Sequence, residues 1–449
     1  MKYSRAAHAR KIVRHGLRKV FAFLPRYLRF SVYRSFVDCD PHPDARLVLK
    51  IAETQDELEA CFKLLHDAYV GSGFMQPHPS GLRATVYHAL PTTTTLCAKF
   101  DGEVVGTISL VRQSSFGFPM QAVFNLDEIH AEKGKIAEIS ALAVHPRFRK
   151  SGGSILFPLM KFMYQYSTTF FDTCHLVIAV NPDRIEMYES LLFFKRLQKQ
   201  TVQNYDFANG APAVGATLNL IHAPKQFKKI YGGKQKRKNL HSYFVKTKLK
   251  NIILPTRRYF TTNDPVMTPE MLDYFFNQRT QVFAQLSECE KRELASIYDM
   301  PRYQAVLPRL AKPDADRWDL RQHQRYSLKC RGQLVVGGQT IALQVVEMSD
   351  NGFHAHAKSD LPLHVWSNVQ IQLGSSEAST MQAMAVRGEL QGDYRYYGFK
   401  LGQPDLAWRK CVAALKSGST AKDLDNATLF LDYHSDWDAV TQPYGLETL

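Results

Sequence analysis

Apolar and polar positions divide the chain into a mixed first half and an all-strand stretch near the C-terminus. Leu47–Ile51 reads as a strand; Thr54 and Glu57 form a capping pair, and Leu58, Phe62, Leu65 and Tyr69 then mark one helical face. A loop rich in Gly and Pro, 71–83, leads to a hairpin with strands 94–100 and 104–111 around Asp101-Gly102. After a polar connection over 125–135, the run 136–144 has the length and apolarity of a buried strand. A small, basic turn (147–154) breaks it, and Ile155, Leu159, Phe162 and Met163 resume at helical spacing. A second buried strand is expected over 174–180. Asn181-Pro182 opens a helix through Met187, Tyr188, Leu191 and Leu192, and a strand pair over roughly 200–204 and 214–221 ends the series. The order β-α-β-β-β-α-β-α-β predicts an α/β (α+β) mixed sheet with helices on both faces.

Beyond it, 225–315 reads as a basic, mostly helical extension. From 316 to 416 the period is two, over 326–336, 341–346, 353–357, 369–373, 381–390 and 394–401, with turn signals such as Gly337-Gly338 between the runs. That pattern predicts a small antiparallel barrel closed by a helix over 406–415. Five segments are expected: 1–46, 47–224, 225–315, 316–416 and 417–449.

An apolar content of 45% over 449 residues suits two or three globular domains. Seven scattered cysteines without a CxxC pair fit reduced thiols of a cytoplasmic chain rather than a disulfide framework or a zinc site. His354 and His356 share a strand face without a third ligand nearby, so no metal is expected. No apolar run approaches the ~20 residues that cross a bilayer. The net charge of +15 is concentrated: residues 1–36 and 225–250 each hold ten Lys/Arg and no acid, whereas the tail is acidic (Asp423, Asp425, Asp432, Asp436, Asp438, Glu447). In the first block Ile12, Val13, Leu17, Val20, Phe21, Phe23 and Leu24 alternate with Arg14, Arg18 and Lys19. This suits a helix lying peripherally on an anionic membrane surface, or a solvated basic helix packed on its own domain.

A strand that feeds a Gly-rich turn at a helix N-terminus leaves amides pointing outward under a positive dipole, and Arg147, Arg149 and Lys150 add to that sign. The run Arg149-Lys150-Ser151-Gly152-Gly153-Ser154 resembles the phosphate loop of the GNAT acyltransferases, with Ser154 in place of the last small residue. Glu138-Ile139-Ser140-Ala141-Leu142-Ala143-Val144 resembles the preceding strand of the acyl-homoserine lactone synthases and the N-acyl amino acid synthases, which usually carry Arg where this chain has Ala141. The stretch 209–214 is similar to a segment that recurs in the latter.

The resemblance covers 47–222 and extends more weakly to 309. It implies a GNAT-like sheet and an N-acyltransferase. The donor would be an acyl carrier protein or CoA thioester rather than a tightly bound cofactor. Val144, Arg149, Lys150, Ser151, Gly152, Gly153, Ser154 and Asn181 would hold the donor's arm. The product is expected to be an amide of a long-chain acyl group with an amino acid or similar amine. Such chemistry needs a base, oxyanion donors and a grip on phosphate, but no enzyme nucleophile. Glu138, in an apolar strand, is the candidate base, since burial raises a carboxyl pKa toward neutrality; its alternative is a capped structural acid. Ser140 can relay the proton or orient the substrate. Tyr188 can protonate the leaving thiolate, line the channel, or simply fill core. Cys97 and Cys174 lack an adjacent base. The basic block 225–250 offers a docking face for an acidic carrier protein, with a solvated surface as its alternative, and no specific nucleic acid is expected.

In the second half, Arg321 and Arg325 precede the first strand, and Glu347-x-Ser349-x-x-Gly352 lies between the second and third. Together they resemble the RxxxR and (D/N)xSxxG signatures of PilZ domains, with Glu347 one methylene longer than usual. The resemblance implies cyclic di-GMP as an effector: Arg321 and Arg325 for phosphate and base, Ser349 and Glu347 for hydrogen bonds, and Gly352 for a special turn. Two other functions suit parts of the pattern, a non-catalytic cyclic di-GMP receptor and a CoA-dependent acetyltransferase acting on protein or polyamine.

Overall fold

The computed structural model describes residues 24–132, 134–149, 151–171, 173–205, 207, 210–255, 258–259, 267–298, 301–310, 325–391 and 394–417. Residues 12–23, Lys150, Arg321 and the acidic tail lie outside them. Among the described residues no helix is long and apolar enough to cross a membrane.

The first half is a mixed sheet. Its strands are β1 (Leu47–Ile51), β2 (Thr93–Phe100), β3 (Glu103–Arg112), β4 (Lys135–Val144), β5 (Thr173–Val180), β6 (Lys195–Arg196), β7 (Val202–Tyr205) and β8 (Ala211–Asn219). They run in the order β1-β2-β3-β4-β5-β8-β6, with β7 also on β8, and every pair is antiparallel except β4–β5. Helix α1 (Arg26–Ser35) starts directly after Pro25 and is tied by Arg26 to Glu189 (2.8 Å) and by Arg29 to Glu186 (2.6 Å) of α4 (Pro182–Leu192). α3 (Leu156–Phe171) buries Leu159, Phe162, Met163 and Tyr166 on one face of the sheet. α2 (Gln55–Gly71) buries Leu58, Phe62 and Leu65 on the other. Thr54 caps α2 by accepting from the Glu57 amide (3.2 Å).

The extension is no free linker. Phe227 and Tyr231 of α5 (Ala223–Tyr231), with Tyr243 and Phe244, join the core under α3. Phe275, Phe276, Phe283 and, from α6 (Glu288–Ile297), Leu294 join the core under α2. Two details depart from the sequence pattern. β8 ends at Asn219 rather than 221, because the Asn219 side chain accepts from the amides of Ile221 (3.0 Å) and His222 (3.1 Å) and turns the chain. The two-residue β6 is too short to leave a period.

The second half is a closed antiparallel barrel of β9 (Tyr326–Val336), β10 (Gln339–Met348), β11 (Gly352–Ala357), β12 (Trp366–Gln372), β13 (Ala378–Gln391) and β14 (Tyr394–Leu401), in the order β10-β11-β14-β13-β12-β9. α7 (Leu406–Ser417) plugs it with a fully buried Trp408, whose indole N–H donates to the Ser349 carbonyl (2.9 Å). Asp405 caps that helix through the Trp408 amide (2.7 Å).

Trp408→Ala removes a buried aromatic and orphans a carbonyl. It is expected to destabilise the barrel by about 3–5 kcal/mol. Hydrogen exchange should show faster exchange across β9–β14 and unchanged protection in β2–β5.

Candidate active site

Parallel pairing between β4 and β5 holds only up to Glu138↔Val177, although the strands run on to Val144 and Val180. On the outer side of β4 the register with β3 shifts between Thr107↔Ala143 and Ser109↔Ser140, so Ala141 and Leu142 together face Ile108. Ala141 takes φ 54°, a left-handed conformation that costs a non-glycine residue about 1–2 kcal/mol. This bulge bends β4 away from β5. A cavity of about 270 Å³ occupies the gap, walled by Ile139–Leu142 on one side and Ile178–Asn181 on the other. It continues among Met160, Met163, Leu218, Phe227, Phe244 and Val245, so its far part is apolar.

Glu138 lies where the pairing ends, 2% exposed and lining the cavity. Its Oε2 accepts from the Met120 amide (2.9 Å). Burial pushes its pKa up to about 8, and the Met120 bond offsets only part of that. Ser140 and Tyr188 line the same cavity. Tyr188 packs edge-on against Phe194 (5.9 Å between centroids), and burial raises its pKa. Asn181 also lines it, but its side-chain oxygen is committed to the N-cap of α4, accepting from the Asp183 amide (2.9 Å).

The turn 151–154 is not part of the cavity wall. Arg149 folds back, its Nε donating to the Val144 carbonyl (2.8 Å). Ser151 donates to the Phe148 carbonyl (2.6 Å), and its hydroxyl meets that of Ser154 (2.5 Å). Gly152 and Gly153 have φ 66° and 89°, and among the described residues their amides bond to no backbone carbonyl. A Cβ on Gly153 would lie 2.6 Å from the Phe157 ring. Asp38 stands beside Gly152 with Arg237 paired to it (2.6 Å).

The sequence pattern did not single out the other polar groups of the mouth. The Tyr205 hydroxyl is buried without a hydrogen-bond partner among the described residues, and Tyr69 and Phe207 complete the wall beside it. Arg83 lies over the Tyr69 ring (4.0 Å). These residues reach the site from a helix, a loop and an edge strand, and only tertiary structure unites them.

A second cavity, of about 260 Å³, opens on the barrel and is lined by Arg325, Glu347, Ser349, Gly352, His354 and Arg387. Glu347 is 3.1 Å from His354 Nδ1 and 3.4 Å from Arg325 Nη1, and Arg387 Nη2 is 3.0 Å from His354 Nε2. Two details of the motif are visible here. The Ser349 hydroxyl donates to the Gly352 carbonyl (3.1 Å), leaving its oxygen as an acceptor. Gly352 is needed for closeness rather than for a left-handed turn, since a Cβ would lie 2.5 Å from the Phe399 carbonyl oxygen. His354 and Arg387 join the site from β11 and β13. Among the described residues no group of three or more His, Cys, Asp or Glu could hold a metal.

Residues 60–219 match the family of the N-acyl amino acid synthase FeeM. Among solved structures, FeeM from uncultured soil microbes is 22% identical, covering 41% of this chain and 96% of that one, with a TM-score of 0.35. The AHL synthase LasI is 18% identical over 43% of this chain and all of its own, with a TM-score of 0.33. YcgR from Escherichia coli, in complex with c-di-GMP, is 12% identical over 27% and 50%, with a TM-score of 0.20. No curated protein matches the chain in sequence. The split sheet and the buried glutamate thus fall within the segment, residues 60–219, that matches the model of an N-acyl amino acid synthase family, and a closed six-stranded barrel makes up the second half.

Proposed function

We propose that the chain joins a long-chain acyl thioester to an amino acid or similar amine, and that cyclic di-GMP governs its output. The observation that carries the reading is Glu138, a buried carboxyl at the point where β4 and β5 part, facing an otherwise largely apolar cavity. The acceptor enters as an ammonium. In the empty site at neutral pH the carboxyl holds its proton, and a neighbouring ammonium favours the ionised form. As the ammonium binds, the carboxyl releases its own proton to solvent; ionised Glu138 then takes one proton from the ammonium, and the neutral nitrogen attacks the thioester carbon. The C–N bond forms, the C–S bond breaks, and a second nitrogen proton passes to the departing sulfur, with Tyr188 as the candidate donor. Ser140 orients the amine. The Met, Leu and Phe side chains of the far wall take the acyl chain.

The turn 149–154, with Val144 and Asn181 nearby, is proposed to receive the phosphate-bearing arm of the donor. An acyl carrier protein suits the surface better than CoA. Arg237 is neutralised by Asp38 and Asp40, but Lys225, Lys228, Lys229 and Lys246 have no acidic partner among the described residues. These lysines alternate with the cavity-lining Pro224, Phe227, Phe244 and Val245. An acidic carrier would therefore meet positive charge at the same wall that receives its acyl chain. Exposed Tyr27, Leu28, Val32 and Phe36 on and after α1, following a basic segment, support a seat on an anionic membrane at the cytoplasmic face.

In the barrel, Arg325 and Arg387 present two guanidiniums to one cavity, which suits a ligand with two phosphates and two guanines. Arg321 lies just upstream and would add a third. A route for regulation is at hand. The segment that walls the acyl cavity with Phe244 and Val245 continues to Tyr259 in the barrel core and to Arg258, paired with Glu377 (2.7 Å).

Mass spectrometry of products from purified protein, acyl carrier protein or CoA thioesters and a panel of amino acids tests the reading; N-acyl amino acids are expected. Glu138→Gln should lower kcat/KM by about 10²–10⁴-fold. In the wild type, kcat/KM should rise with pH through the region of 8, a limb that the variant loses. The same change should affect stability. The folded pKa lies above the ordinary 4.5, so the wild type loses stability as pH rises from about 4.5 to about 8, whereas the Gln variant does not. The Tm advantage of Glu138→Gln should therefore grow across that window. By calorimetry, Arg325→Ala is expected to weaken cyclic di-GMP binding at least tenfold.

A further inference from the structure

We propose that Asp38 and Arg237 form a latch on the donor's phosphate site, in which the phosphate displaces the Asp38 carboxylate and takes its place on the Arg237 guanidinium; this rests on the reading of the turn 149–154 as the seat of the donor's phosphate-bearing arm. A charge of the wrong sign stands at that turn. The amides of Gly152 and Gly153 bond to no backbone carbonyl among the described residues, and α3 begins just beyond them, so the turn suits an anion from outside. Yet a carboxylate of the chain itself is already beside it: a Cβ on Gly152 would lie 3.5 Å from Asp38 Oδ2.

Local structure fixes that carboxylate in place. Residues 37–40 alternate: Val37 and Cys39 are buried in the core that α3 shares, while Asp38 and Asp40 face Arg237. Arg237 donates from Nε to Asp38 Oδ1 (2.6 Å), from Nη2 to Asp38 Oδ2 (3.0 Å) and from Nη1 to Asp40 Oδ2 (3.0 Å). The Cys39 amide donates to the Arg237 carbonyl (2.7 Å) and Lys238 Nζ to the Ser35 carbonyl (2.6 Å), so two segments far apart in sequence are laced together beside the turn. Hydrogen bonding to Arg237 holds the Asp38 carboxyl below the usual carboxylate range, which keeps it ionised at neutral pH.

This arrangement satisfies Arg237 and leaves the turn unsatisfied. Two carboxylates share one guanidinium, and among the described residues neither oxygen of Asp38 is hydrogen-bonded to an amide of the turn. A phosphate offers what Asp38 does not. It matches the same two-pronged fork, and it has further oxygens for the Gly152 and Gly153 amides. Opening the latch is not costly, because the Asp38–Arg237 pair is half exposed and ion pairs of this kind contribute little to stability. While the latch is closed, the Asp38 charge repels an incoming phosphate. An arm without phosphate neither meets that repulsion nor has the means to replace Asp38 on Arg237.

The test is steady-state acyl transfer by the full-length protein. It compares a long-chain acyl 4′-phosphopantetheine with the corresponding acyl pantetheine, which lacks the phosphate, in wild type, Asp38→Asn and Arg237→Gln. Asp38→Asn should lower the KM of the phosphate-bearing donor about 3–10-fold, and Arg237→Gln should raise it by about as much. Both variants should leave the acceptor KM and the rate with acyl pantetheine where they were. Asp38→Ser serves as the readout if the Asn variant melts early. A donor KM that is unchanged or raised in Asp38→Asn, or an equal effect on the two donors, would overturn the latch while leaving the acyltransferase intact. Wild-type protein that forms no acyl product with any donor, acyl carrier protein and CoA thioesters included, would overturn the acyltransferase reading and this one with it.

Discussion

The molecule's first half depends on two parallel strands that stop pairing before they end. Backbone N–H and C=O groups inside a sheet are costly to leave unmatched. In β4 and β5 only the inner edges beyond Glu138 and Val177 are open, because β3 and β8 pair their outer edges. An extended, amide-bearing arm is the kind of ligand that can lie along such an edge. The gap is held open by a backbone irregularity rather than by side chains. Ala141 sits in the left-handed region within a strand, and the packing of α2 and α3 on the two faces offsets that strain.

The same parting sets the electrostatics. Glu138 is on the last paired register, so its backbone is rigid while its carboxyl faces the opening. One amide bond is enough to orient it and too little to stabilise full charge, which leaves its protonation state responsive to whatever enters. A second amide or a cation at hydrogen-bonding distance would have returned it to the usual carboxylate range. Arg83, held away by Tyr69 and Phe207, does not do so.

Much of this architecture is written locally. The buried run of β4, the Gly-Gly turn and the spacing of α3 are contiguous, and each follows from near-neighbour physics. The barrel shows itself through alternation. What escapes is whatever several distant segments make together. The bulge at Ala141 has no signature of its own, since alanine does not announce a positive φ. Arg83 lies in a loop whose Gly and Pro content says only that it turns. Arg387 reads as a surface residue of a long strand until the closed barrel sets it beside His354. Residue type alone does not tell how a motif position is used. Gly352 and Ser349 occupy the motif positions; the first is required by the nearness of Phe399, and the second closes its own turn.

The extension shows why a chain of this plan need not behave as two independent parts. Its aromatic residues are used twice: Phe227 and Phe244 complete the wall of the Glu138 cavity, and Tyr259, fifteen residues after Phe244, is buried in the barrel. A segment that serves two cores cannot shift in one without disturbing the other, because close-packed interiors transmit small displacements rather than absorb them. Coupling further requires that the segment have two arrangements which a ligand distinguishes. The Arg258–Glu377 pair is exposed enough to break at modest cost, whereas Tyr259 is not. The segment is therefore anchored in the barrel at Tyr259, with the surface ion pair as its adjustable end.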